Sequence, residues 1–227
     1  MNLSTWREKD PAVTYVAPFL VFVACLFVFP RLSLSPVVGS ALWVALMGAV
    51  CFICFPRDVP WQPNFWIGST LVGIAVFVIW VAPDALFPGY RHSILFSNRI
   101  LGSAHASLSL AVLQNPAFLF WRTLRAVVIV PIVEELFWRG WLMRWLIDQD
   151  FKKVPLGAYS ASAFWITALL FASEHGPYWD VGLLAGVAYN AWMIRSKSLA
   201  DCILMHAVTN AALCAYVIAI GKWQYWQ

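Results

Sequence analysis

The chain has 227 residues, of which 62% are apolar and only 11% charged, with a mean hydropathy of +0.73. Soluble domains carry about 25% charged residues, so this composition cannot coat a water-facing globule, and it excludes a soluble enzyme and a disordered regulator alike. The formal charge of +4 is scattered singly between apolar runs without a basic stripe, so no nucleic-acid partner is expected.

A hydrocarbon core of about 30 Å is crossed by about 20 apolar residues. Seven apolar runs approach that length, at residues 14–29, 37–55, 64–82, 117–146, 156–173, 181–194 and 199–220. They predict an all-α, polytopic integral membrane bundle of about seven transmembrane helices, surrounded by lipid in the inner membrane of a bacterial or archaeal cell. Arg7 and Lys9 precede the first run and no clean small-residue cleavage site follows it, so it reads as an uncleaved anchor. Cys25, Cys51, Cys54, Cys202 and Cys214 all fall inside apolar runs, where they read as small apolar filler.

Residues 83–116 differ. They carry Asp84, Arg91, His92, Arg99 and His105, while Ile94, Leu101, Ala104, Leu108 and Ala111 recur at helical spacing. This pattern predicts a helix lying along the interface, the alternative being a weakly apolar eighth span. The chain then divides into residues 1–116, three spans plus the interfacial amphipathic segment, and a core at 117–220, within a single membrane domain. Seven spans place eight basic residues on the side of the N-terminus and six opposite, which favours a cytoplasmic N-terminus.

The fourth run contains Glu134, Glu135 and Arg139. Each ionisable group near mid-membrane costs about 2.5 to 3.5 kcal/mol before pairing, so something compensates for them. Glu135 and Arg139 are four apart and share a helix face, while Glu134 points about 100° away. Glu134 is then either an acid bonded to a neighbouring helix or a general base in a wet cavity. Pro131, which removes a backbone donor and can kink the helix just before the acids, favours the cavity.

His175 ends the fifth run, directly after Glu174, an acid where an apolar residue is expected; His206 and Asn210 share one face of the last run. Each alone reads equally well as an interfacial or interhelical polar group. Together, Glu134, Glu135, His175, His206 and Asn210 supply a base, a proton shuttle and carbonyl-polarising donors, the needs of amide hydrolysis. No GxSxG supports a serine nucleophile and no HExxH supports zinc, so neither metal nor cofactor is expected. Convergence of these residues requires tilted, broken or unequal helices. Trp138, Trp141 and Trp145 form a stripe at helical spacing beside the acids and read as packing or lipid-facing rings rather than a substrate groove.

Glu134-Glu135-x-x-x-Arg139, Phe171-x-x-x-His175 and His206-x-x-x-Asn210, in this order, resemble the three motifs of the CAAX protease and bacteriocin-processing (ABI) family, which includes the type II CAAX prenyl endopeptidases. Gly182, Leu183, Gly186, Tyr189, Ser198 and Leu199 are similar to the family's pattern leading into the last histidine. The compact length and Trp content are also similar to the subgroup associated with exosortase sorting. The resemblance implies a glutamate-dependent intramembrane endopeptidase acting on a protein or peptide substrate, lipidated in some members. It implies that Glu134 and His175 activate water, that His206 and Asn210 polarise the scissile carbonyl, and that Glu135 and Arg139 support them. The rival readings are a non-catalytic membrane binding or immunity protein, which keeps the same polar cluster for packing or partner contact, and a proton-coupled carrier. The carrier is disfavoured by the lack of paired broken segments in corresponding halves.

Overall fold

The structure, a computed structural model, describes residues 10–104 and 108–226. Arg7, Lys9 and His105 lie outside the described residues. Seven helices longer than ten residues carry the fold among the described residues: α1 (Val13–Val28), α2 (Pro36–Cys54), α3 (Trp66–Leu86), α4 (Pro116–Trp145), α5 (Ala161–Ser173), α6 (Trp179–Ser196) and α7 (Leu199–Ile220). α1 with the turn after it, α2, α3, α4 and α7 are each long and apolar enough to cross a membrane, so the protein is an all-α polytopic membrane protein. α5 has only 13 residues, about 20 Å at 1.5 Å per residue, and forms a hairpin with α6.

Polar side chains start these helices where the chain must turn. Asn115 accepts the N–H groups of Ala117 and Phe118, at 3.0 and 3.2 Å, just before Pro116 opens α4. Ser198 accepts the Asp201 N–H at 3.2 Å to cap α7. The Asp201 carboxylate in turn accepts the N–H groups of Asn64 and Phe65, both at 2.8 Å, and the Ser69 hydroxyl at 2.9 Å, joining the start of α3 to the start of α7. Farther along, Gly73 lets α3 touch the α7 backbone, because a Cβ there would lie 2.5 Å from the Met205 carbonyl oxygen.

The largest buried cluster forms around the middle of α4, where Val133 and Trp138 meet Phe19 and Phe22 of α1, Trp43 and Met47 of α2, and Phe171 of α5. Phe19 stacks on Phe137 with centroids 3.9 Å apart. Trp138 is buried in this cluster and Trp141 packs against it, while Trp145 stacks on Trp141 at 5.6 Å. The tryptophan stripe is therefore packing.

Residues 87–104 correct the sequence expectation. α3 continues through Pro83 and Asp84 to Leu86, and beyond it the described residues form neither an interfacial helix nor an eighth span. A single helical turn at Tyr90–His92 and an Asn98–Gly102 bridge interrupt an otherwise irregular segment, and Leu110–Leu113 forms one short turn before α4. The Asn98 side chain accepts the N–H groups of Ile100 and Leu101, both at 2.9 Å, diverting backbone donors that a helix would use. Arg91 is buried rather than interfacial. It donates to Asp84 at 3.0 Å, to Asp180 at 2.8 Å and to the Pro177 carbonyl at 2.6 Å, and its guanidinium lies 4.2 Å from the Tyr178 ring centroid. These bonds fasten the segment to the start of α6.

Candidate active site

α4 is continuous but irregular, with π-helical turns at Arg125–Ile129 and Leu136–Leu142 around a short α-helical stretch holding Pro131, Glu134 and Glu135. In the first, the Val130 N–H reaches back five residues to the Arg125 carbonyl. An α-helix would have sent it to Ala126, and Pro131, next in line, has no N–H to offer. The Asn210 side chain of α7 fills this gap by donating Nδ2 to the Ala126 carbonyl at 2.8 Å. The break in α4 thus fixes the carboxamide of Asn210.

Four residues beyond Pro131, Glu135 organises the opposite side of the helix. Its Oε1 accepts from Arg139 Nη1 at 3.2 Å and meets His206 Nδ1 at 2.9 Å. Arg139 also donates Nε to Asn190 Oδ1 at 2.9 Å and lies 4.6 Å from the Phe171 ring centroid. Asn190 is oriented by its own Nδ2, which donates to the Phe164 carbonyl at 2.8 Å. Glu135 and Arg139 are fully buried and outside the cavity, holding His206 from behind.

His175 sits one residue past the α5 cap. Its Nδ1 lies 2.8 Å from the Phe171 carbonyl. A carbonyl can only accept, so Nδ1 carries the proton and Nε2 keeps its lone pair. The ring packs against α6 at Gly182, where an added Cβ would stand 3.1 Å from the His175 Cβ. Gly186, one turn on, plays the same part between the helices, since its Cβ would lie 3.2 Å from the Ala168 Cα. Tyr189 completes the row, its ring centroid 4.9 Å from that of His206. Burial pushes the His175 imidazole down to about 4, so it is neutral near pH 7, and pushes the neighbouring Glu174 carboxyl up to about 7.

Glu134, His175, His206 and Asn210 all line one cavity of about 290 Å³, with Glu174, Tyr189 and Thr209 among the other polar wall residues. Short α5 and the turns in α4 reconcile the depths of these side chains. Glu134 is 7% exposed, and its buried Oε2 has no hydrogen-bond partner among the described residues, while its side chain and that of His175 line the same cavity. Sequence reasoning missed Asn190, although an amide inside an apolar run is a visible signal. It also missed Arg122 and Arg125, which line the cavity.

No curated protein and no solved structure matches the chain. Residues 116–212, the segment that contributes Glu134, Glu135, Arg139, His175, His206 and Asn210, match the family model described as type II CAAX prenyl endopeptidase Rce1-like, so this segment of the chain is similar to the CAAX proteases.

Proposed function

We propose that the protein is a metal-independent, glutamate-dependent endopeptidase that cleaves a peptide bond near the C-terminus, or at a processing site, of a membrane-associated or lipidated protein. The observation that carries this reading is the meeting of Glu134, His175, His206 and Asn210 at one cavity with Glu134 Oε2 unpartnered. A water held between Glu134 Oε2 and His175 Nε2 gives a proton to the carboxylate as its oxygen attacks the scissile carbonyl carbon. The carbonyl oxygen takes up the negative charge. Asn210 offers its second amide hydrogen to it, beside His206, whose Nδ1 is held by the Glu135 carboxylate. The C–N bond then breaks as Glu134 returns the proton to the departing amine.

Among the described residues no three His, Cys, Asp or Glu side chains are grouped to hold a metal ion, which favours the carboxylate route over a zinc hydroxide. The test uses detergent-purified protein and a library of fluorogenic apolar peptides. Glu134→Gln should lower cleavage by about 100- to 10 000-fold without lowering the thermal unfolding midpoint, and chelators should leave the unmodified protein active. Cleavage that survives Glu134→Gln overturns the mechanism. A protein that binds peptides and never cleaves them fits the binding or immunity reading instead.

A further inference from the structure

A basin of about 630 Å³, lined among others by Asp84, Arg91, His92, Tyr216, Lys222 and Tyr225, shares Tyr225 with the wall of the catalytic cavity. Its place follows from the two helices that end there. α3 and α7 run side by side in one direction: Asp201 joins their starts, and the Tyr225 hydroxyl, just past α7, donates to Asp84 in the last turn of α3 at 3.0 Å. Both helices cross the membrane, so the basin lies at the edge of the hydrocarbon, the depth at which tyrosine rings such as Tyr216 and Tyr225 commonly sit.

The acid of the basin is already paired, since Asp84 Oδ2 accepts from both Arg91 Nε and Tyr225. Arg91 is balanced by Asp84 and Asp180, yet its side chain is only 4% exposed and its buried Nη2 has no hydrogen-bond partner among the described residues. A buried donor left unpaired costs more than a formed bond returns. The side chains of Lys222 and His92 make no hydrogen bond or ion pair among the described residues. Three basic side chains thus bring spare donors to one space, and Lys222 brings a charge without a counter-ion.

We propose that this basin binds the phosphate of a membrane lipid headgroup, Lys222 supplying the charge and His92 and Arg91 the hydrogen bonds. The proposal is independent of the peptidase reading. Phosphate oxygens take charge-assisted hydrogen bonds, and a compact ammonium binds them as a point charge. Because Asp84 and Asp180 already balance Arg91, the attraction rests on Lys222. A phosphate concentrated at the interface by its acyl chains suits so modest a pull better than a dilute soluble anion does. His92 and Arg91 belong to the irregular segment after α3, and Lys222 follows α7, so the bound phosphate ties that segment to the end of α7.

The test uses the whole chain, delipidated in detergent, with dioleoylphosphatidylglycerol and with dioleoylglycerol, which has the same chains and no phosphate. Binding is read by native mass spectrometry and by the unfolding midpoint. The phospholipid should bind saturably, one per protein, and raise the midpoint, while dioleoylglycerol does neither. Lys222→Gln should weaken phospholipid binding about fivefold and leave the lipid-free midpoint unchanged; Lys222→Arg should restore it, and His92→Gln should cause a smaller loss. Equal binding of the two lipids overturns the site, as does a phospholipid affinity unchanged in both Lys222→Gln and His92→Gln. If Lys222→Gln does not fold, the ratio between the two lipids and its fall in His92→Gln decide. Inorganic phosphate that raises the midpoint as much as the lipid does, through Lys222, assigns the basin to a soluble phosphate and overturns the lipid.

Discussion

At the start of α7, the Asp201 carboxylate accepts two backbone N–H groups and a hydroxyl, whereas in the middle of α4 Glu134, in the cavity wall, leaves its Oε2 without a donor among the described residues. Both acids sit in helices that cross the membrane. Satisfying a buried carboxylate ties elements together and consumes its lone pairs; leaving one unsatisfied costs free energy and preserves a base. Glu135 stands between them, its Oε1 engaged by both Arg139 and His206 while its buried Oε2 has no partner among the described residues. The two adjacent acids of α4 thus divide between support and chemistry, because helical geometry turns one toward α6 and α7 and the other toward the cavity.

The contrast breaks most sharply if the two acids are exchanged as targets. Glu134→Gln is expected to remove activity and spare stability, the largest effect of the series. Asp201→Ala is expected to do the reverse, lowering unfolding stability by about 3 kcal/mol as the Ser69 hydroxyl and two N–H groups lose their acceptor, with cleavage per folded molecule kept. Denaturant titration in detergent beside a turnover assay checks both, and an Asp201→Ala protein that is stable but inactive would erase the distinction.

Smaller changes sharpen it. Asn190→Ala frees one side of Arg139, and with it the Glu135–His206 pair, so cleavage should fall about 10- to 100-fold; a drop in kcat at unchanged KM distinguishes this from lost substrate contact. Gly182→Ala forces the His175 ring to shift by a few tenths of an ångström, and the expected loss of rate is up to about 100-fold for a misplaced base, with little change in melting. The smallest effect concerns pH. With Glu174 titrating near 7, a second negative charge forms in the cavity wall as the pH passes through neutrality, and the rate should inflect there. Glu174→Gln should flatten that inflection. His175, held near 4, stays neutral down to mildly acidic pH, so the limb caused by its protonation should appear only near pH 4.

Much of the fold was legible because apolar run length reports helices directly. The run at 14–29 becomes Val13–Val28, and that at 199–220 becomes Leu199–Ile220. The segment after α3 was misread for a physical reason: its apolar spacing is helical, but Gly89 and Gly102 take left-handed backbone angles and Asn98 captures neighbouring N–H groups. Arg91, expected at an interface, is instead a buried tie between Asp84 and Asp180, the two carboxylates supplying the charge and hydrogen-bond partners that let a guanidinium leave water.

The amino-acid string by itself determined that the chain is a helical membrane protein and which polar residues stand out within its apolar runs, since both follow from local composition and spacing. Only the tertiary structure decided that Glu135 supports His206 while Glu134 lines the cavity, that Asn210 compensates the backbone break at Pro131, and that Arg125 lies over the Trp43 ring. Those outcomes depend on how helices far apart in sequence meet, and the pairing of buried polar groups is settled by that meeting rather than by any local pattern.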